Sequence, residues 1–371
     1  DVGFAVNGGK RRTAKVMRRR IARARKRAKR VALLTRRSRK AVKLIATGVG
    51  PQQSFGHVAQ GASPNMVRQM RANFKAATPY DNTRSCTTST IHWIIGEHAD
   101  PAVALKVEQV ASWMDAWRDM SAAQREEVIA EWPFVMRKVA FGKVKGWKAC
   151  QGPMAAVMLT LRGLGWHPVR PNAWIYRQDE WHVEWATIDV APFARTQILL
   201  QIAKDAANLA WKAAAAHPHG SGLDQGTPWL HVARKVHRSF IKEGRKDAAS
   251  GLEKAVVGMF FDPSDMDDQL SKCMRCGQGE TATRLHTIWE CPANLKAKLK
   301  DVVKSEYLKE EAVTSCKARE KECYYLRGMV PKDSLTTGGE VEPARARRWA
   351  TGNFRDELMK GKAWTDGSGG T

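Results

Sequence analysis

The chain has 371 residues, 43% of them hydrophobic and 27% charged, which is enough apolar material for roughly two or three domains. It contains no run of about 18 apolar residues and no apolar stretch near residue 1, so we expect neither a membrane-spanning helix nor secretion. The formal net charge is +25. Seven cysteines without an export signal favour a reducing compartment over a disulfide framework.

The positive charge is concentrated at the N-terminal end. Residues 1–80 contain 21 Lys and Arg and a single acid, Asp1, so this segment carries +20 of the total. A basic block at one end of a chain is typical of a segment that binds a polyanion. Nucleic acid is therefore the expected partner, and an anionic membrane surface is the alternative.

Residues 10–47 predict a basic helix or a pair of helices. Small and apolar residues recur in steps of four and three, which makes one stripe along a helix: Met17, Ile21, Ala24, Ala28 and Val31. No acid at i+4 neutralises this helix, so it requires phosphates or stays partly unfolded when alone. The alternatives are a solvated tail and a nuclear-import signal. The candidate nucleic-acid-binding residues are Arg18, Arg19, Arg20, Arg23, Arg25, Lys26, Arg27, Lys29, Arg30, Arg36 and Arg37.

The middle of the chain predicts a mostly helical region with one small β-hairpin. A Gly-, Pro-, Gln- and Ser-rich segment follows the basic block and turns helical near residues 66–76. Further helical patterns cover residues 101–141, 152–164, 191–217 and 228–247. Ser121 and Gln124 form a capping-box sequence, which indicates a helix start. Residues 174–177 and 181–185 flank a polar turn and predict the hairpin.

The chain contains 14 tryptophans, for which two interpretations compete. An indole face can stack on a nucleic-acid base. Trp at helical spacing, or on a hairpin beside apolar residues, is more often part of a core. We therefore expect these tryptophans in the core: Trp113, Trp117, Trp166, Trp174, Trp181 and Trp185.

The sharpest motif for chemistry has the spacing C-x2-C-x9-H-x4-C. It consists of Cys273, Cys276, His286 and Cys291, and Gly277 allows a tight turn after the second cysteine. Two thiolates separated by two residues can bind one ion, and a His and a Cys separated by four can ligate from a short helix or turn. Four N and S ligands without a vacancy predict a closed, structural Zn²⁺ site. Unrelated thiols in a loop are the alternative.

A redox role for the CxxC sequence is disfavoured because no βαβ pattern surrounds it. The remaining cysteines lack such a grouping, and we expect them to be small buried residues. They are Cys86, Cys150, Cys316 and Cys323.

Residues 273–292 resemble the zinc-binding module of non-LTR retrotransposon reverse transcriptases. The resemblance rests on the CxxCG start, on Glu280-Thr281, on His286, and on Trp289-Glu290 before the Cys291-Pro292 pair. In that family the module lies between the polymerase and an RNase H domain. The basic block with residues 48–64 resembles, less specifically, the segment after the polymerase palm.

Two stretches near the C-terminal end carry further similarity to this family. Residues 324–331 resemble the linker that precedes RNase H. The sequence WTDGSG at 364–369 resembles the opening strand of a type-1 RNase H. By that resemblance Asp366 would be the first of four carboxylates that hold two Mg²⁺ ions for hydrolysis.

Neither activity of such a polyprotein is expected to be complete in this chain. The polymerase motif Tyr-x-Asp-Asp is missing, and the pair Asp267-Asp268 lies in a polar stretch that predicts a loop. The other RNase H carboxylates would follow Thr371, and one carboxylate cannot hold a metal pair. We expect Mg²⁺ only in a complete RNase H domain of a longer parent, and enzymatic activity of this chain stays open.

These features predict a mainly α fragment of a retroelement reverse transcriptase polyprotein. Its expected segments are a basic nucleic-acid-binding helical arm at 1–48, a mostly helical connection region at 49–268, a zinc-binding module at 269–300, a helical linker at 301–360 and a truncated first RNase H strand at 361–371.

The expected function is to grip template RNA, DNA or RNA–DNA hybrid, mainly at phosphates, through the basic arm and the zinc module. The rest of the polyprotein would act in cis, without a membrane partner, in a nuclear or cytoplasmic ribonucleoprotein. The alternative is a host nuclear zinc-containing nucleic-acid-binding protein without polymerase ancestry.

Overall fold

A computed structural model describes residues 12–80, 85–178, 181–185, 192–217, 220, 222–223, 228–259 and 272–331. Within these residues the chain is mainly α-helical and has two small antiparallel sheets. The expectation of a mainly α protein is thus confirmed. The predicted RNase H strand at 361–371 lies outside the described residues.

Eight α-helices come before the first sheet in the described part of the chain. They are α1 (Lys15–Arg37), α2 (Gly50–Ser54), α3 (His57–Gln60), α4 (Pro64–Ala76), α5 (Thr87–Ile94), α6 (Pro101–Asp119), α7 (Ala122–Phe141) and α8 (Pro153–Arg162). The first sheet consists of β1 (Trp166–Arg170), β2 (Ala173–Gln178) and β3 (Trp181–Trp185).

The remaining elements are three longer helices, then four short helices, and two short strands. They are α9 (Pro192–Ala215), β4 (Pro228–Trp229), α10 (Leu230–Lys242), α11 (Lys246–Val257), α12 (Ala293–Lys296), α13 (Lys300–Ser305), α14 (Lys309–Lys317), α15 (Glu322–Arg327) and β5 (Val330–Pro331). Strand β4 pairs with β5 in the second sheet.

Side-chain caps explain where several helices begin. The Ser63 side chain accepts a bond from the first turn of α4, and Asp100 accepts one from the Ala102 N–H at 2.8 Å at the start of α6. Ser121 and Gln124 form the predicted capping box, so the pattern over 101–141 divides into α6 and α7. Each cap pairs N–H groups that the helix itself leaves without an acceptor.

The expectation of a single helix over 228–247 is wrong. Helix α10 ends at Lys242 and α11 begins at Lys246. Gly244 lies between them with a φ of +75°, in the left-handed region that glycine adopts without steric cost. The apolar periodicity continues across the break, which explains why the sequence pattern does not reveal it.

The predicted hairpin is confirmed and is part of a larger sheet. Strands β2 and β3 pair with Trp174 opposite Trp185, and β1 adds to the other edge of β2. Trp132 donates its indole N–H to the Pro168 carbonyl at 3.0 Å, which ties α7 to β1. Four of the expected core tryptophans are buried, namely Trp113, Trp117, Trp166 and Trp174, whereas the side chains of β3 lie outside the described part.

The basic helix α1 packs against the helices that follow it. Its predicted apolar stripe is buried from Met17 to Val31. Ala24 and Ala28 share one core cluster with Phe74 of α4, and Thr35 donates its hydroxyl to the Ala77 carbonyl at 2.9 Å. Residues on both sides of the boundary expected at 48 therefore belong to one hydrophobic core.

A buried carboxylate fixes the junction of α4, α5 and α6. Asp100 is 0% exposed and accepts bonds from Arg71 Nε at 2.9 Å and from His92 Nε2 at 3.0 Å. Burial raises the pKa of Asp100, but the Arg71 charge and the bonds from His92 and the Ala102 N–H outweigh it and lower that pKa to about 2. The carboxylate is therefore charged and fully paired in the fold.

We expect Asp100→Asn to lower the free energy of unfolding by about 3–5 kcal/mol at pH 7, because the Arg71 charge is left buried without its partner. Urea titration measures this loss. The folded pKa lies below the unfolded value of about 3.9. The stabilisation is therefore complete above pH ~4 and is lost as the pH falls toward 2.

The exposed Asp119→Asn variant is the control and should change stability by less than about 0.5 kcal/mol. The difference between the wild-type and Asp100→Asn proteins should shrink between pH 5 and pH 2.5. An unchanged difference over this interval would contradict the assigned charge state.

Candidate metal centre and basic face

The first two predicted ligands lie on a tight turn. The Cys273 N–H donates to the Glu280 carbonyl at 2.7 Å, and the Gly277 N–H donates to the Cys273 carbonyl at 3.4 Å. Lys272 pairs with Thr281 in a β-bridge next to these bonds. Gly277 has a φ of +66°, which lets the backbone turn directly after Cys276.

The other two predicted ligands lie at the ends of a single helical turn. The turn His286–Glu290 has π-type bonding. The Thr283 hydroxyl accepts from the His286 N–H at 3.1 Å, and the Cys291 N–H donates to the His286 carbonyl at 2.7 Å. This wide turn brings the His286 ring and the Cys291 thiol to the same side.

The four side chains converge as the sequence predicts. Their ligand atoms all lie within 4.8 Å of one another. Cys273 Sγ lies 3.8 Å from Cys291 Sγ, and Cys276 Sγ lies 3.6 Å from His286 Nε2. A tetrahedral Zn²⁺ with Zn–S bonds of ~2.3 Å requires S···S edges of ~3.8 Å and slightly shorter S···N edges. The cluster can therefore hold a metal ion, and its geometry is compatible with structural zinc.

The surroundings of Cys273 favour the thiolate that a metal requires. Burial raises the pKa of Cys273, but backbone N–H groups of Cys276 and Arg275 and the side chains of His286 and Cys276 bond to its sulfur and lower that pKa to about 6. Burial raises the pKa of the Cys291 thiol. Metal binding would therefore displace a proton from Cys291.

A second set of contacts ties the cysteine turn to the histidine turn. Arg275 donates to the Thr287 carbonyl at 3.3 Å and to Asn294 Oδ1 at 2.6 Å. Asn294 in turn donates to the Ile288 carbonyl at 2.9 Å. These bonds hold the two ligand pairs in register, a role that contacts outside the ligand set often have in metal sites.

Trp289 attaches this module to the helices α14 and α15. Its indole N–H donates to the Tyr325 carbonyl at 3.1 Å, and the two rings meet edge to face at 5.9 Å. Ala312 and Cys316 of α14 are buried beside them. Sequence reasoning assigned no contact to Trp289, because its partners lie more than 20 residues away in the chain.

The other cysteines do not join the cluster. Cys86, Cys150, Cys316 and Cys323 are buried, as expected. Burial raises the pKa of Cys150, Cys316 and Cys323 to about 11, so these thiols stay protonated and unreactive at neutral pH. Asp366 and the pair Asp267-Asp268 lie outside the described residues.

The predicted nucleic-acid-binding residues lie on α1, and most of them are exposed. Helix α1 contains no Asp or Glu. Arg20 is the exception in exposure: it is half-buried, donates to the Phe55 carbonyl at 2.7 Å and lies 4.7 Å over the Phe55 ring. Arg27 donates to the Gly48 carbonyl at 3.1 Å. The exposed members are Arg18, Arg19, Arg23, Arg25, Lys26, Arg27, Lys29, Arg30, Arg36 and Arg37.

No family model, curated protein or solved structure matches the chain. Among the described helices, none combines the length and apolarity needed to cross a bilayer.

We expect the purified protein to contain about one zinc per chain, measured by mass spectrometry of the metal. Cys273→Ser with Cys276→Ser should remove the zinc and expose residues 272–300 to proteolysis. Helices α1–α11 should keep their circular dichroism, because a closed site stabilises only what it ties together.

Cys150→Ala is the matched control, since this buried thiol lies outside the cluster and the variant should retain its zinc. Loss of zinc in the control, or full zinc in the double variant, would refute the assigned ligands.

Proposed function

We propose that this chain binds nucleic acid through the exposed face of α1, as part of a retroelement reverse transcriptase polyprotein. The observation that carries the proposal is the cationic face itself: eleven exposed Arg and Lys on one 23-residue helix without an acid. A face of this charge attracts phosphates strongly and carries little base preference.

One stripe of this face is geometrically suited to a phosphate backbone. Arg19, Arg23, Lys26 and Arg30 follow the spacing i, i+4, i+7, i+11, so their directions fall within about 60° of one another around the helix. They lie opposite the buried stripe and extend over ~16 Å. Because the helix is already packed, binding would not have to fold it, which lowers the entropic cost of the contact.

Zinc would have a structural part in this function. The Cys273, Cys276, His286 and Cys291 cluster would hold the ion, which supplies local folding energy and no chemistry. Segment 273–292 and the sequence at 364–369 support the polyprotein assignment by resemblance. A complete RNase H domain with Asp366 and Mg²⁺ would belong to a longer parent, in a nuclear or cytoplasmic ribonucleoprotein.

A host nuclear zinc protein without polymerase ancestry would use the same cationic face. The flanking reading frame distinguishes the two: an upstream Tyr-x-Asp-Asp motif and downstream RNase H carboxylates would identify the retroelement polyprotein. Their absence would leave the nucleic-acid contact and remove the polymerase ancestry.

We expect wild-type affinity for a 20-base-pair duplex to fall about a hundredfold or more between about 50 and 200 mM salt. The variant Arg19→Gln, Arg23→Gln, Lys26→Gln, Arg30→Gln should weaken binding roughly tenfold or more. It should also reduce the slope of log K against log salt by about 3, because each phosphate contact contributes about 0.9. Fluorescence anisotropy at several salt concentrations measures both. Gln keeps the helix propensity and the buried stripe.

The control variant removes four exposed cations elsewhere: Arg137→Gln, Lys143→Gln, Lys145→Gln and Lys212→Gln. It should leave the salt slope within about 1 of the wild type. Equal losses in both variants would mean that net charge, and not α1, accounts for binding.

A further inference from the structure

A second cationic stripe lies on α10. His231, Lys235, Arg238 and Lys242 are exposed and follow the spacing i, i+4, i+7, i+11, the same spacing as the stripe on α1. The helix buries the opposite side through Leu230, Ala233 and His237. The four exposed residues therefore form a line of ~16 Å on the outer surface.

An exposed tryptophan stands at the N-terminal end of this stripe. Trp229 is 38% exposed, and its ring stacks on the His231 imidazole with centroids 5.5 Å apart and planes 20° apart. Among the tryptophans whose side chains are described, Trp229 alone is exposed. Its backbone is fixed in the sheet opposite Val330. The sequence interpretation of tryptophans as core residues thus does not extend to Trp229.

Several contacts fix helix α10 against α5 and α11. Arg234 donates to the His92 carbonyl and, at 3.3 Å, to the Trp93 carbonyl. Its guanidinium also lies 5.9 Å from the centre of the Trp93 ring. His237 Nε2 lies 3.8 Å from the Glu253 carboxylate. These contacts fix the orientation of α10, and with it the positions of the four exposed residues, in the absence of a partner.

Acidic charge does not cancel the stripe. Glu243, which follows α10, accepts from the Ser239 hydroxyl at 2.7 Å and pairs with Arg245 at 3.5 Å. Buried Glu253 accepts from Trp93 Nε1 at 3.0 Å and pairs with Arg39 next to α1. Both carboxylates are thus engaged by other groups, which leaves the stripe positive.

We propose that α10 and Trp229 form a second site, which binds a single-stranded segment of nucleic acid. Phosphates lie along Lys235, Arg238 and Lys242, and one unpaired base stacks on the Trp229 indole beside His231. Stacking requires a base that is free of its duplex neighbours, so the aromatic end of the site selects single strands. This inference shares with the proposed function only the chemical class of the partner.

The test compares a labelled 20-nucleotide single strand with a duplex of the same sequence, by anisotropy at about 100 mM salt. Trp229→Ala should weaken single-strand binding roughly five- to hundredfold and leave duplex binding within about twofold. Trp229→Phe keeps an aromatic face and should retain most of the affinity. Lys235→Gln with Arg238→Gln and Lys242→Gln should reduce the single-strand salt slope by about 2.

The matched control is Arg137→Gln with Lys143→Gln and Lys145→Gln, which removes the same charge from the last part of α7 and the segment after it. This control should change neither the salt dependence of single-strand binding nor the ratio of the affinities for the single strand and the duplex. If Trp229→Ala matches the wild type, or if the α10 triple variant matches this control, the second site does not exist. If only the α1 variant with Gln at positions 19, 23, 26 and 30 then lost affinity, the result would support the proposed function without the second site. A loss confined to the α10 variants would support the second site and refute the assignment of α1.

Discussion

The burial of one apolar stripe on α1 determines how the positive charge of this protein is displayed. Like charges four residues apart each cost a helix roughly 0.2–0.5 kcal/mol, so the several Arg and Lys pairs of α1 oppose helix formation by about 1–2 kcal/mol. Burying Met17, Ile21 and Val31 contributes about 1.5–3 kcal/mol for each side chain. Packing therefore outweighs repulsion, and the cations are fixed on the opposite side.

Further contacts connect the remaining parts of the described chain. Arg39, just after α1, pairs with Glu253 of α11, and Glu253 also accepts from Trp93 of α5. Cys323 and Met329 are buried in the cluster that contains α11 residues, and Trp289 binds α15 through Tyr325. The metal module is thus joined to the helical body mainly through α14 and α15, where Trp289 bonds to Tyr325 and Lys317 pairs with Glu290 at 3.0 Å.

Features set by neighbours in sequence could be predicted, and features set by distant contacts could not. The stripe on α1, the capping box at Ser121 and the convergence of the four candidate metal ligands each follow from residue spacing within at most about 20 positions. The break between α10 and α11 at Gly244 was not predicted, because glycine is also tolerated inside helices at a cost of about 1 kcal/mol. The bonds of Asp100 with Arg71 and the exposure of Trp229 depend on which elements meet, and periodicity carries no information about that.

The stripe on α1 also implies two different rates of sequence change on one helix. Under the proposed function, contact with phosphates would depend mainly on positive charge, so Arg and Lys could replace each other at positions such as Arg23 and Lys26. Ala24 and Ala28 are 0% exposed, and a larger side chain there would overpack the contact with Phe74 at a cost of about 1–3 kcal/mol. Drift among relatives of this protein would therefore leave its alanines in place while its arginines and lysines interchange.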